Sequence, residues 1–225
     1  MMNFDFATLA VIIVPLLMAI TVHEAAHGYA AKYCGDDTAA MLGRLTLNPI
    51  NHIDPVGTIA VPLLMYIGSS AVGMPFIFGW AKPVPFNPRN FNVSLRKGVR
   101  IVAFAGPLAN LTMMIIWALL LSFSGFMPAS YVQPYELMTQ YGVMINAVLF
   151  VLNMIPILPL DGGRVLDTFL PLKASLSFQK IEPYGTWIVL FIIFFPATRA
   201  IFSELVYWVS MAALIPSGYL RVLLF

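Results

Sequence analysis

Apolar residues gather in this chain into blocks long enough to cross a bilayer, separated by short polar, proline-bearing stretches. A hydrocarbon core of about 30 Å takes about 20 largely apolar residues per helix. Five blocks meet or approach that length, roughly 7–31, 99–124, 141–160, 184–198 and 204–224, the last two short or interrupted by proline. A sixth, roughly 56–80, is broken by Gly68-Ser69-Ser70 and again by Gly73 and Pro75. That interruption predicts a re-entrant or broken helical hairpin, which lipid tolerates only where protein or water covers the backbone. The polar stretch before it, Gly35 to Pro55, predicts a short β segment near 43–48 around Arg44-Leu45-Thr46-Leu47. A strand edge there is a docking place for an extended peptide.

Composition turns these blocks into a fold class. The chain is 60% hydrophobic and 10% charged, with mean hydropathy +0.86. Soluble domains carry about 25% charged residues, and a folded surface in water needs polar cover. The expectation is an all-α polytopic membrane protein, one domain over 1–225, with lipid as its main solvent. A net charge of +2 and no basic tract argue against nucleic acid. A single cysteine, Cys34, excludes an internal disulfide framework and a multi-cysteine zinc site. No Lys or Arg precedes the first apolar block, so it reads as a retained helix rather than a secretory signal.

Lysine and arginine then orient the chain. Lys82, Arg89, Arg96, Lys97 and Arg100 precede the second block, and Arg164, Lys173 and Lys180 follow the third, whereas Ser124 to Gln140 carries none. Both basic loops belong in the cytoplasm. The first span therefore ends at the cytoplasmic face near Lys32, and the interrupted block crosses twice or not at all.

Residues 23–27 read His-Glu-Ala-Ala-His. Helical positions four apart share a face, so two imidazoles at this spacing can bind one Zn²⁺ with the glutamate beside the activated water. Counted back from Lys32, His27 lies roughly 7 Å and His23 roughly 13 Å below the helix end. Ionisable groups at that depth are costly unless paired, coordinated or wetted. A divalent cation answers all of them at once, whereas packed polar tips would not.

Catalytic zinc usually has three protein ligands and an open position. Asp161 alone among the other carboxylates ends an apolar block on the same membrane side as the histidines. It closes Asn153-Met-Ile-Pro156-Ile-Leu-Pro159-Leu160-Asp161-Gly162-Gly163, where the prolines break a helix and the glycines permit close backbone approach. The bland alternatives are a helix cap or a pair with Arg164. The remaining histidine, His52, sits in the polar loop and reads as a loop hydrogen-bonder.

Together these residues resemble the site-2 protease family of intramembrane zinc metalloproteases, peptidase family M50. The resemblance rests on His23-Glu24-Ala25-Ala26-His27, on Leu160-Asp161-Gly162 with Asn153 and Pro156 upstream, and on Gly106-Pro107-Leu-Ala-Asn110 between them. Asn48-Pro49 and His52-Ile-Asp54-Pro55 look like its compact bacterial branch, without PDZ or CBS modules. The resemblance implies a catalytic core of roughly 7–165, one zinc per chain on His23, His27 and Asp161, and Glu24 as general base. It further implies membrane-spanning protein substrates, with Asn153 and Asn110 as substrate-binding candidates. The implied setting is a multi-pass protein of the bacterial cell membrane with its site toward the cytoplasm. The competing classes are an intramembrane metal transporter and a non-catalytic scaffold; neither needs a glutamate placed between two ligands. Oligomeric state and substrate identity have no signal in the sequence.

Overall fold

A computed structural model describes residues 6–61, 64 and 79–224. Among these residues the protein is helical, without strands. Helix α1 covers Phe6–Tyr33 and ends at Gly35, whose φ of 101° lets the chain turn away at no steric cost. A single turn, α2 (Thr38–Met41), follows. Asp36 is fully buried beside it, accepting hydrogen bonds from Thr38, the Asn87 N–H and Asn90. Burial opposes its charge, but these donors outweigh burial and hold the carboxyl below the ordinary Asp value.

The chain re-enters the apolar region as α3 (Leu95–Leu121), turns, and returns as α4 (Ala129–Asn153). The short helices α5 (Asp161–Phe169) and α6 (Leu172–Gln179) follow, then α7 (Glu182–Phe194) and α8 (Pro196–Leu224). Four helices among the described residues are long and apolar enough to cross a membrane: Ala10–Tyr33 within α1, α3, α4 and α8. The protein is an integral membrane protein.

Three expectations change. Where a span was expected over 141–160, the helix begins at Ala129 and stops at Asn153. It starts early because Pro128 opens it and its polar first turns find internal partners: Tyr135 donates to Leu120 O and Thr139 to Tyr135 O. It stops early because Pro156 and Pro159 have no N–H to continue it. Block 184–198 becomes a 13-residue helix, shorter than a span, and 204–224 merges into the 29-residue α8. Residues 43–48 form turns and bends rather than a strand. The loop's donors go instead to nearby carbonyls, and its Thr46 O accepts from His52 Nε2 at 2.9 Å. The expected hairpin over 56–80 lies mostly outside the described residues. Only its first turn, Pro55–Ala60, is described throughout, capped by Asp54, which accepts from Val56 N and Gly57 N.

Helices α1, α3 and α4 pack together at the centre, with Ala19, Ala118 and Ala147 fully buried between them. Small residues let helices approach closely, which matters in lipid because apolar side chains gain nothing by leaving it. Trp117 of α3 lies over Gly142 of α4, where a Cβ would overlap its ring. Helix α8 packs on the outside of α3 and α4. Its end is tied to the end of α3 by Ser122 Oγ donating to Ser217 O at 2.9 Å and to α4 by an Arg221–Glu136 pair at 3.7 Å.

Candidate metal centre

Helical spacing brings His23 and His27 onto one face of α1, with ring centroids 4.6 Å apart and planes at 87°. Each ring is oriented from behind. His27 Nδ1 donates to Val102 O at 2.7 Å, and His23 Nδ1 donates to Asn110 Oδ1 at 2.6 Å. A carbonyl oxygen only accepts, so each neutral imidazole carries its hydrogen on Nδ1 and a lone pair on Nε2. The two Nε2 atoms lie 3.0 Å apart.

Asp161 completes the cluster from the first turn of α5. The irregular stretch 154–160 that delivers it contains a cis Leu158–Pro159 bond and is clasped by three glycines. A Cβ on Gly162 would overlap Met154 O, one on Gly163 would overlap the Ile157–Leu158 backbone, and one on Gly185 would overlap Leu158 O. Asp161 Oδ2 lies 3.3 Å from His23 Nε2 and 3.4 Å from His27 Nε2, is buried, and has no hydrogen-bond donor.

Three acceptor atoms therefore face one point with no hydrogen between them. Such a group is costly to bury unless a cation satisfies it. Tetrahedral zinc with bonds of 2.0–2.2 Å spaces its N and O ligands about 3.3–3.6 Å apart. The spacings of 3.0–3.4 Å match that requirement closely. The donor set fits a zinc ion without rearrangement of the fold. Gly106 of α3 faces this point, and a Cβ there would overlap the His27 ring and the His23 Cε1. Its lack of a side chain makes room for the imidazoles, beyond the helix packing that its motif suggests.

Glu24 projects beside the cluster and its Oε2 accepts from Val84 N–H at 2.8 Å. Val84 belongs to an extended segment, 79–87, that is tacked down along its length. Trp80 N donates to Gly57 O, Lys82 N to His52 O, and Asn87 N to Asp36 Oδ2. Arg44, only 9% exposed, donates to Lys82 O at 2.9 Å. The polar loop 44–58 thus serves as a brace for this segment. His52 is buried within the brace, apart from the His23–His27–Asp161 cluster.

Two cavities have Glu24 in their walls. One, of about 230 Å³, is lined by His23, His27, Asp161, Val84 and Arg164 among others. The other, of about 340 Å³, has mostly apolar walls, including Ile20, Trp80, Leu149, Leu160 and Val189. His23, Glu24, Asn153, Pro159 and Leu160 border both. Asn153 donates to Leu149 O at 3.0 Å and presents its side chain at this shared border. Asn110 is elsewhere: fully buried behind His23, it lines neither cavity.

Sequence reading missed Asn146, the Val84 amide and Gly185. Asn146 had a usable signal, a strongly polar amide in an apolar span. The Val84 N–H and Gly185 had none, because their roles depend on backbone positions set by other segments.

A helical integral membrane protein with this buried cluster is of the peptidase class by comparison with known proteins. Residues 127–196 match the model of peptidase family M50. The chain is 35% identical over 195 residues to "Putative zinc metalloprotease YwhC" of Bacillus subtilis, covering 84% of this chain and 83% of that protein. It is 29% identical over 196 residues to "Putative zinc metalloprotease Rip2" of Mycolicibacterium smegmatis, covering 85% and 70%. It is 26% identical over 202 residues to the protein of the same name from Mycobacterium tuberculosis, again 85% and 70%. No solved structure gives a significant match. The chain belongs to peptidase family M50.

Proposed function

We propose that this protein is an intramembrane zinc metalloendopeptidase that cleaves membrane-spanning substrates. In this reading His23, His27 and Asp161 hold one zinc ion and Glu24 is the general base. The observation that carries the reading is the buried trio of acceptors, with no donor among them, directly beside a carboxylate on the adjoining helical position.

When bound, the cation supplies Lewis acidity, which activates water at neutral pH and polarises the scissile carbonyl. The rest of the chemistry belongs to the chain. Glu24, steadied at Oε2 by the Val84 amide, accepts the proton of the attacking water and returns it to the leaving amine. Asn153, at the border of both cavities, binds the substrate backbone next to the scissile bond. The apolar cavity of about 340 Å³ takes one bulky apolar side chain adjoining that bond. A transmembrane helix hides its amides in its own hydrogen bonds, so it unwinds locally before attack.

Orientation follows from charge. The site lies toward the end of the molecule that carries Lys82, Arg89, Arg96, Lys97 and Arg100, which the positive-inside rule assigns to the cytoplasm. We place the protein in a bacterial cell membrane, in keeping with the bacterial source of its relatives.

The test is metal analysis alongside cleavage of single-span peptides in detergent or vesicles. Wild type retains one zinc per chain and cleaves; Asp161→Ala loses both. Glu24→Gln keeps the metal and loses at least about 10²-fold in rate, the scale of general-base catalysis. Undiminished cleavage by Glu24→Gln would remove the base assignment. Zinc flux across vesicles without any peptide cleavage would instead establish a transporter.

A further inference from the structure

The buried amides behind His23 form a chain with a direction. Asn110 is 0% exposed and makes bonds on both ends of its amide. Its Oδ1 accepts from His23 Nδ1, while its Nδ2 donates to Ala19 O at 3.2 Å and to Asn146 Oδ1 at 2.9 Å. Asn146, also 0% exposed, donates from its own Nδ2 to Gly142 O at 2.8 Å.

An asparagine amide is nearly symmetric in shape and opposite in hydrogen-bonding character at its two ends. Turned over, Asn110 would present N–H to His23 Nδ1. That nitrogen would then have to accept, and the ring hydrogen would move to Nε2. A hydrogen on Nε2 points into the His23–His27–Asp161 cluster and removes the lone pair that the cluster needs. What forbids the turn is a pair of acceptors in front of Asn110 Nδ2, and one of them, Asn146 Oδ1, is a side chain that could itself turn over. Gly142 O, which only accepts, prevents that.

We infer that Asn146 is a positioning residue for the metal centre: acting through Asn110, it fixes His23 in the tautomer whose Nε2 can bind a cation. The inference rests on His23 being a ligand. It assigns a purpose to an amide within a membrane span, where interhelical hydrogen bonds by themselves add little stability. It also explains why the less well-supported ring is the one given a second anchor. His27 is held by a backbone carbonyl, whereas His23 is held by a side-chain amide that only Ala19 O and Asn146 Oδ1 keep from turning over.

The experiment uses the full-length protein in detergent, with ¹⁵N-labelled histidine NMR on metal-free samples and zinc affinity from chelator competition. In wild type the site histidines carry hydrogen on Nδ1. Asn146→Leu shifts His23 toward the Nε2–H form and weakens zinc binding about 10–100-fold, the usual cost of losing an outer partner of a ligand. KM for a peptide substrate at saturating zinc is unchanged. Asn146→Asp keeps an acceptor facing Asn110, so it retains wild-type tautomer and affinity even if its thermal stability falls. Asn146→Ala, as small as its neighbour Ala147, replaces the leucine variant should that not fold. Wild-type affinity and tautomer in folded Asn146→Leu or Asn146→Ala overturn the inference, as does equal loss of zinc in Asn146→Asp. Absence of zinc binding by wild type, together with the tautomer shift in Asn146→Leu, would defeat the metalloprotease reading and leave the amide relay standing.

Discussion

Helices α1 and α8 are nearly alike in apolar character and opposite in packing. Their most apolar stretches have mean hydropathy 1.7 and 1.4, yet 33% of the first is buried and only 11% of the second. In water, hydrophobicity would decide which helix goes inside. In lipid it does not, because the surrounding tails are as apolar as leucine. Small residues and polar groups decide instead. Helix α1 carries Ala19, Ala25 and Ala31, each at most 1% exposed, together with the polar residues His23, Glu24 and His27. Helix α8 turns Ile201, Trp208, Ile215 and Tyr219 outward, each more than half exposed. The centre is therefore set by close approach and satisfied polarity, and the periphery by solubility in the bilayer.

That contrast can be broken at its centre with a single methyl group. Gly106→Ala inserts a Cβ against both imidazoles. It should abolish zinc retention while leaving the protein membrane-inserted, as metal analysis of purified protein would show; a variant that still binds one zinc tightly would mean that the rings have room to yield. A smaller effect is expected at the apolar cavity. Val189→Trp fills it, so cleavage beside bulky apolar residues should fall about 10–200-fold relative to cleavage beside alanine, on the scale of a hydrophobic pocket's discrimination. Competition between two peptides differing at that position reads the ratio, and an unchanged ratio would assign the cavity to water.

The Asp36 anchor of segment 79–87 should respond to acid. Asp36 has a folded-state carboxyl below its unfolded value, so it contributes stability that is fully present above the unfolded pKa of about 3.9 and is lost as pH falls through the lower folded value. Proteolysis near Asn87–Asn92 should accelerate as pH drops below about 4, with Asp36→Asn flattening that dependence. At the periphery almost nothing should happen. Ile215→Ala, on the exposed face of α8, should change stability by less than about 0.5 kcal/mol and leave cleavage unaltered. A large loss there would show that α8 is covered by a partner.

Much of the centre was legible in the residues. His23 and His27 declared themselves through spacing on one helical face, and Asp161 through its place at the end of a proline-broken apolar block. Their convergence, with ligand atoms 3.0–3.4 Å apart, is a property of the packed chain. The reading of Asn110 as a substrate contact met a different geometry, since a side chain with 0% exposure can touch only the protein around it. The span edges moved because local hydrogen bonding, such as Tyr135 to Leu120 O, can extend a helix through polar sequence that a hydropathy window excludes.

The sequence by itself determined the solvent, the helical class and the residue types of the candidate metal centre. The first two follow from apolar length, backbone hydrogen-bond satisfaction and the periodicity of a helix, and the candidate ligand types from their spacing on that helix, all local properties. Only the tertiary structure decided which backbone amide holds Glu24, which glycine clears space for the rings and which amide sets the His23 tautomer. Each of those depends on groups tens of residues apart meeting within hydrogen-bond reach, and a linear pattern of residues does not encode a distance.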